Sequence, residues 1–353
     1  MDSLIANKTK GTILVTGANG SLGSTIVSQI VSEPELAAHH GLYAVRNANA
    51  APALAAAIGA GKRTQNHTYD LISLDLTDLA SIRVVAALIN ARVAAGEIPA
   101  LRSVILNAGY LEFTSQSWTK DGFDTSFASN YLGHWLLTLL LLQSLDRQDG
   151  RIIVVGSESH DPFNSKSKAA FNEPRWMTFM PEDNCDHIAY GTWSTAEADP
   201  SFHCGFRRYG ASKFCQVMMI PELQHRLDSD PVLSKIRVLG VDPGSMPTNL
   251  IRRGPWMVRV FMFQLIMPWL APLIGWLQPN GPFRTLRMGA TDVLAAALDS
   301  GAGRFSKATY FYGSRIEEMT TEARDEKKRE RLWVDSVRYT GLTKNETALM
   351  AWA

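Results

Sequence analysis

Short apolar runs alternate with longer helical stripes along most of the chain. Thr12-Ile13-Leu14-Val15 reads as a buried strand that passes through a glycine-rich turn into a stripe of Leu22, Ile26, Val27 and Ile30. Further strands are predicted at Leu42 to Val45, Leu71 to Leu74, Ser103 to Leu106, Ile152 to Val155, Ile236 to Val241 and Tyr310 to Tyr312. Helices are predicted through Leu79, Ile82, Ala86 and Ile89, from Phe123 to Leu145, and from about Tyr209 to Leu227. The second of these is apolar almost all round, so it must be covered on several sides. Strands alternating with helices imply an α/β fold with a doubly wound, mainly parallel sheet covered on both faces. In such sheets ligands bind at the carboxyl ends of the strands, where the strand order reverses. No repeat or linker divides the chain, so residues 1–353 read as a single domain.

Two stretches break this rhythm. Residues 158–208 have little periodicity and read as an insertion, held down by Trp176, Phe179 and Trp193. Residues 249–288 carry Trp256, Phe261, Phe263, Trp269 and Trp276 and read as an apolar substrate lid. A face turned toward a membrane or a partner is the alternative there. A spanning helix needs about 20 apolar residues, and Arg259, Pro268 and Pro272 argue against one. Residues 317–353 form a C-terminal helix and tail, and the alternating charges from Glu317 to Arg331 suit a solvated helix. Pro221 should kink the helix that follows Tyr209.

Composition narrows the class of molecule. Lys and Arg number 35 against 34 Asp and Glu, a balance that argues against nucleic acid as the main partner. Three scattered cysteines cannot build a disulfide framework, and no metal-ligand spacing occurs. Met1 to Lys10 holds no apolar run of signal-peptide length, so a cytoplasmic enzyme is expected and the three Asn-x-Thr matches are treated as chance.

The residues suited to chemistry fall at the ends of the predicted strands. After the first strand comes Thr16-Gly17-Ala18-Asn19-Gly20-Ser21-Leu22-Gly23, a glycine turn before a helix that would let backbone N–H groups approach a pyrophosphate. Asp75-Leu76, Asn107-Ala108-Gly109, Asn130, Gly156-Ser157, Tyr209-x-x-x-Lys213 and Pro243-Gly244-Ser245-Met246-Pro247-Thr248 follow in order. Tyr209 and Lys213 lie about one helical turn apart and face the same way. A tyrosine donates a proton readily, and a neighbouring ammonium should lower its pKa.

This ordered set resembles the short-chain dehydrogenase/reductase family, in its carbonyl-reductase-like and retinol-dehydrogenase-like branches, and is similar to reductases of fungal secondary metabolism. The resemblance implies a Rossmann-type fold and a nicotinamide dinucleotide held by Gly17, Asn19, Gly20, Ser21, Leu22, Gly23, Arg46, Asn47, Asp75, Leu76, Asn107, Ala108, Gly109, Tyr209, Lys213, Pro243, Gly244, Met246 and Thr248. It also implies that Tyr209 is the general acid, Lys213 its tuner and ribose anchor, and Ser157 the hydroxyl that orients the substrate, with Asn130 holding a relay water. Ser159 is the rival for the serine role. The chain departs from the family pattern at Ser21, where a glycine is usual, and in the long spacing of 52 from Ser157 to Tyr209.

The second strand ends in Arg46-Asn47 rather than in the carboxylate that usually bonds a ribose 2′-hydroxyl, so NADP(H) is expected over NAD(H). The expected activity is NADPH-dependent reduction of a ketone or aldehyde on a bulky apolar substrate, polycyclic or polyketide-like. A retinol- or steroid-type dehydrogenase at a membrane surface is the alternative enzyme, and a dinucleotide-binding regulator the alternative from another class. The insertion lies beside the helices through which many family members assemble, so a monomer or an atypical dimer is expected.

Overall fold

The predicted strands all enter one sheet. The computed structural model describes residues 9–60, 67–165, 167–181, 184–248, 250, 280–281, 283–299 and 306–353. Its labelled elements are β1 (Thr12–Thr16), α1 (Ser21–Ser32), β2 (His40–Val45), α2 (Pro52–Ala60), β3 (Tyr69–Ser73), α3 (Leu79–Ala94) and β4 (Leu101–Leu106). They continue with α4 (Gly133–Leu141), β5 (Arg151–Val155), α5 (Phe202–Asp228), β6 (Arg237–Asp242), α6 (Leu286–Leu298), β7 (Tyr310–Tyr312), β8 (Arg315–Ile316) and α7 (Glu326–Thr340). The strand order is β3-β2-β1-β4-β5-β6-β7-β8, parallel except for β8, which returns antiparallel against β7. The order reverses between β1 and β4, whose parallel register pairs Val15 with Ile105.

Alternate strand residues serve opposite faces. Ile13, Val15, Ile105, Ile153 and Leu239 join α1, α2 and α6 in one buried layer. Leu14, Val104, Leu106, Ile152, Val154 and Val238 pack in the other layer with α3, α4, α5 and α7. Strands β1, β2, β4, β5 and β6 are buried almost throughout on both faces, which is why they read as continuous apolar runs, while the edge strand β3 is largely exposed.

Several expectations are revised. The helix expected from Phe123 to Leu145 is a helical turn at Thr125–Phe127, a π-helical stretch at Ala128–Leu132, then α4 and a final 3₁₀ turn. The helix expected to start near Tyr209 begins at Phe202, capped by Ser201, and continues through Pro221 to Asp228. Residues 286–288, assigned to the lid, open the core helix α6. Lid residues 249, 251–279 and 282 lie outside the described residues, Trp256 to Trp276 among them.

The C-terminal helix is not merely solvated. Past its charged first turns, Leu332, Trp333, Ser336 and Tyr339 are buried. Trp333 meets Trp135 edge-on at 5.1 Å between centroids, and Tyr131 shares a 2.8 Å hydrogen bond with Ser336. Arg226 of α5 lies over the Trp333 ring, 4.4 Å from its centroid, so α7 covers part of both α4 and α5 within one chain.

Residues 158–208 are packed down as expected, with Phe171, Trp176, Phe179 and Trp193 in one aromatic cluster that reaches Phe214 of α5. Glu322 accepts hydrogen bonds from the backbone N–H groups of Phe179 and Met180, and Asp335 accepts one from Cys185. Two buried arginines fasten the insertion to α5. Arg207 pairs with Asp199 and lies over Trp176, while Arg208 pairs with Asp124 at 3.1 Å and donates to the Ser194 and Ser115 carbonyls.

Candidate active site

One cleft of about 720 Å³ opens at the carboxyl ends of the strands, beside the point where their order reverses. Its floor begins where β1 runs into Gly17, whose φ of +65° and closeness to Ala108 (a Cβ would lie 2.7 Å from its Cα) exclude any side chain. At Gly23 a Cβ would lie 2.3 Å from the Gly17 carbonyl oxygen, so the first turn of α1 sits directly on the loop. Gly20 is the N-cap of α1, and no side chain caps that helix. Backbone N–H groups at a helix start, with no side chain between them and the cleft, suit the pyrophosphate of a dinucleotide. Ser21, at the position of the family's middle glycine, lines the cleft as expected.

The walls gather the other candidate residues. Arg46, Asn47, Asp75, Leu76, Asn107, Ala108, Gly109, Ser157, Tyr209, Lys213, Pro243, Gly244, Met246 and Thr248 all line this cleft, as do Asn19, Gly20, Leu22 and Gly23 of the loop. Some serve its shape. Asn19 caps α2 through the N–H groups of Ala53 and Leu54, Asp75 binds the N–H and hydroxyl of Thr77, and Asn107 donates to the Thr16 carbonyl at 2.8 Å.

Thr16 joins two halves of the site. Its hydroxyl oxygen accepts from the N–H groups of Asn107 and Ala108 at 2.9 and 3.0 Å, which leaves its proton to point to His134 Nε2 at 2.9 Å. His134 Nδ1 in turn donates to the Asn130 carbonyl at 2.9 Å, which fixes the neutral tautomer. Burial holds the imidazole pKa down at about 3, so it stays uncharged. His134 is thus a packed and satisfied histidine.

Of the four candidate catalytic residues, Asn130 alone does not line the cleft. Its amide accepts from Tyr110 N–H at 2.7 Å and donates to the Tyr110 carbonyl and to Ser212 Oγ at 2.9 and 2.8 Å. The π-helical stretch aims it at these groups. Its side chain thereby clamps the segment after β4 to α5.

Ser157 and Tyr209 line the same cleft, and the serine hydroxyl is near enough to pull the Tyr209 pKa down. Ser159 donates its hydroxyl to Ser157 Oγ at 3.0 Å, so the rival serine supports Ser157 from behind. His160 donates to the Ser157 carbonyl at 2.7 Å and stands edge-on to Tyr310. Lys213 is buried one turn after Tyr209, its Nζ 5.8 Å from the phenol ring centroid. The ammonium donates to the Val155 carbonyl at 2.9 Å and to Gln216 Oε1 at 2.8 Å.

The expected lowering of the Tyr209 pKa is not observed. Burial pushes it above the ordinary phenol value, with the Ser157 hydroxyl pulling the other way. Burial also brings Lys213 down to about 8, against the opposing pull of Asp242. Tyr209 is therefore a protonated donor across the physiological range. Beyond it, Leu111 and Phe113 pack with Tyr209 and Leu250, and Phe206 stands one turn before it. Leu111, Phe206, Leu250, Glu158 and Ser167 also line the cleft and were not singled out from sequence. Phe206 and Gln216, each three positions from a motif residue, could have been found by helical spacing.

The three cysteines are free and buried, and burial pushes the Cys185 and Cys215 thiols upward, away from reactivity. Among the described residues no group of His, Cys, Asp and Glu could hold a metal ion, and no helix is long and apolar enough to cross a membrane.

Residues 11–168 match the model of the short chain dehydrogenase family. A short-chain dehydrogenase of Talaromyces variabilis is 42% identical over 97% of this chain and 99% of its own length. Human retinol dehydrogenase 13 is 29% identical over 94% of this chain and 85% of its own length. Among solved structures, an angucycline C-6 ketoreductase with bound NADP superposes with a TM-score of 0.53 at 20% identity, covering 86% of this chain and 94% of the other. The NADPH-bound carbonyl reductase from chicken fatty liver gives 0.56 at 14% identity, covering 88% and 100%.

Proposed function

Since this chain belongs to the short-chain dehydrogenase/reductase family, we propose that it is an NADPH-dependent reductase of ketones or aldehydes on bulky apolar substrates, polycyclic or polyketide-like. The observation that carries this reading is the continuity of one cleft. It runs from Arg46 and the glycine loop, past the Ser157–Tyr209 pair, to a wall of Leu111, Phe206 and Leu250. The fungal relative and the ketoreductase and carbonyl reductase among the structural neighbours support it.

In this reading Arg46 and Asn47 face the adenosine 2′-phosphate, the glycine loop holds the pyrophosphate, and Lys213 anchors the nicotinamide ribose. Bound NADPH supplies the hydride. Ser157 orients the carbonyl oxygen, and Tyr209 donates its phenolic proton to that oxygen as the charge develops there. The phenolate left behind is stabilised by the neighbouring Ser157 hydroxyl and by the nearby ammonium of Lys213. A phenol kept protonated by burial favours reduction, because alcohol oxidation would require it as a base. The apolar wall selects flat hydrophobic carbonyl compounds, whose burial is worth roughly 25 cal/mol per Å² of apolar surface.

The test is oxidation of NADPH, followed by its absorbance, with purified protein and a panel of polycyclic aromatic ketones set beside small hydroxyketones. Turnover confined to the polycyclic members, and faster with NADPH than NADH, supports the reading. Turnover of retinal or steroid ketones alone would favour the retinol-dehydrogenase-like alternative, and no turnover with any carbonyl would overturn it.

A further inference from the structure

We propose that Gln216 is a positioning residue of this site, which holds the Lys213 ammonium in a single orientation toward the cleft. The proposal rests on the reading of Lys213 as the group that anchors the cofactor and stands beneath Tyr209.

An ammonium has three N–H donors and no acceptor, and it turns freely about its Cε–Nζ bond unless acceptors stop it. Lys213 is 3% exposed, so no bulk solvent fixes that rotation. Among the described residues its hydrogen-bond partners are the Val155 carbonyl at the end of β5 and Gln216 Oε1, three positions later on α5. One acceptor would stop the rotor; two acceptors at 2.9 and 2.8 Å on different elements also fix the position of Nζ. The remaining donor is then available to a ligand in the cleft that Lys213 lines.

The glutamine amide is itself held. Because Lys213 can only donate, the carbonyl oxygen of Gln216 must face it, which turns Nε2 toward the His134 ring, 3.4 Å from Nδ1. His134 is anchored at both nitrogens, to Thr16 and to the Asn130 carbonyl. Gln216 is 0% exposed and cannot swing into water. The ammonium is thus oriented by a buried amide packed against the His134 ring; the two side chains touch without a hydrogen bond, because Nδ1 already donates to the Asn130 carbonyl and the Gln216 amide nitrogen can only donate. The other ionisable groups that act on Lys213 are Asp242 at the end of β6 and His134 of α4, with Tyr209 on the same helix.

The test compares wild type with Gln216→Met, which keeps the volume and removes the acceptor, and Gln216→Glu, which keeps the acceptor and adds charge. Gln216→Asn, one methylene shorter, serves if the methionine variant does not fold. Hydrogen bonds to charged groups are among the stronger ones, so Gln216→Met should lower kcat about ten- to hundred-fold with the KM for the carbonyl substrate within about twofold. Its alkaline limb in the pH profile should move to lower pH, and that of Gln216→Glu to higher pH. NADP affinity, measured by calorimetry, should fall in Gln216→Met and be restored in Gln216→Glu. A merely structural glutamine would give the two variants the same limb as wild type. Unchanged rates, limbs and NADP affinities in both variants overturn the proposal. If wild type binds NADP but reduces no carbonyl, the reading of the function fails, while the affinities still decide the role of Gln216.

Discussion

Replacing His134 by glutamine should make the fold less stable at neutral pH yet less sensitive to acid. In the folded chain the imidazole is enclosed and neutral, with a pKa of about 3, whereas in the unfolded chain it titrates near its ordinary value of about 6.5. Between those values the unfolded state binds a proton that the folded state does not. Stability must therefore rise with pH up to about 6.5 and fall as the pH drops below it. Integrating the difference gives about 0.2 kcal/mol of destabilisation at pH 7 and about 2 kcal/mol at pH 5. The pH 5 figure changes little as long as the folded pKa lies well below 5. His160, His39, His40 and His67 are also held down, mainly by burial, but they are present in both proteins and cancel in the comparison. Glutamine removes the proton site and weakens the link from Thr16 to the Asn130 carbonyl, at a cost of about 1 to 2 kcal/mol at pH 7. Urea unfolding of both proteins at pH 7, 6 and 5 should show this gap closing or reversing by about 2 kcal/mol. A gap that stays constant over that range would refute the buried neutral tautomer.

Three further outcomes are expected. Tyr209→Phe should lower reduction by at least about a hundredfold while NADPH still binds, because the cleft keeps its shape and loses only its proton donor; near-normal turnover would remove Tyr209 from the mechanism. Arg46→Asp should weaken NADPH by about tenfold or more relative to NADH, since a carboxylate repels a 2′-phosphate and accepts from a 2′-hydroxyl; an unchanged affinity ratio in paired titrations means that Arg46 faces elsewhere. Light scattering should report a monomer, because α7 already packs on this surface: Trp333 meets Trp135 of α4 and Arg226 of α5, and Ser336 bonds Tyr131; a tetramer paired through α4 and α5 would contradict the packing.

Most strands were legible because both of their faces are buried, so each apolar run stands out from its surroundings. The cleft was legible for a different reason. Glycines, the Tyr209–Lys213 spacing and strand ends mark where backbone and side chains must come close, and these are local properties. What stayed hidden depends on tertiary context. The helix α2, PALAAAIGA, is helical by alanine content and buries only Leu54 and Ala57, so it carries no stripe. The first two turns of α5 hold Gly205, Arg207 and Arg208, whose burial depends on Asp199 and Asp124 elsewhere in the chain. The π-helical stretch at Ala128–Leu132 is a change of hydrogen-bond register that leaves no mark in hydrophobic spacing. The pKa of Tyr209 moved opposite to expectation because burial outweighs its polar neighbours, and burial cannot be read from a four-residue motif.

The fastening of the insertion has a kinetic consequence. Its ties to the C-terminal part of the chain are long-range: the bonds from Phe179 to Glu322 and from Cys185 to Asp335 join residues 143 and 150 positions apart. Closing loops of that size before any contact rewards them is slow compared with forming a strand–turn–helix unit such as β1 and α1. The nucleotide half of the sheet can assemble early from neighbouring segments, whereas the insertion that packs on the two turns of α5 before Tyr209 is complete only when the C-terminal residues Glu322 and Asp335 dock on it. During refolding, cofactor affinity should return ahead of turnover, and the interval between them measures how long the proton donor stands without its support.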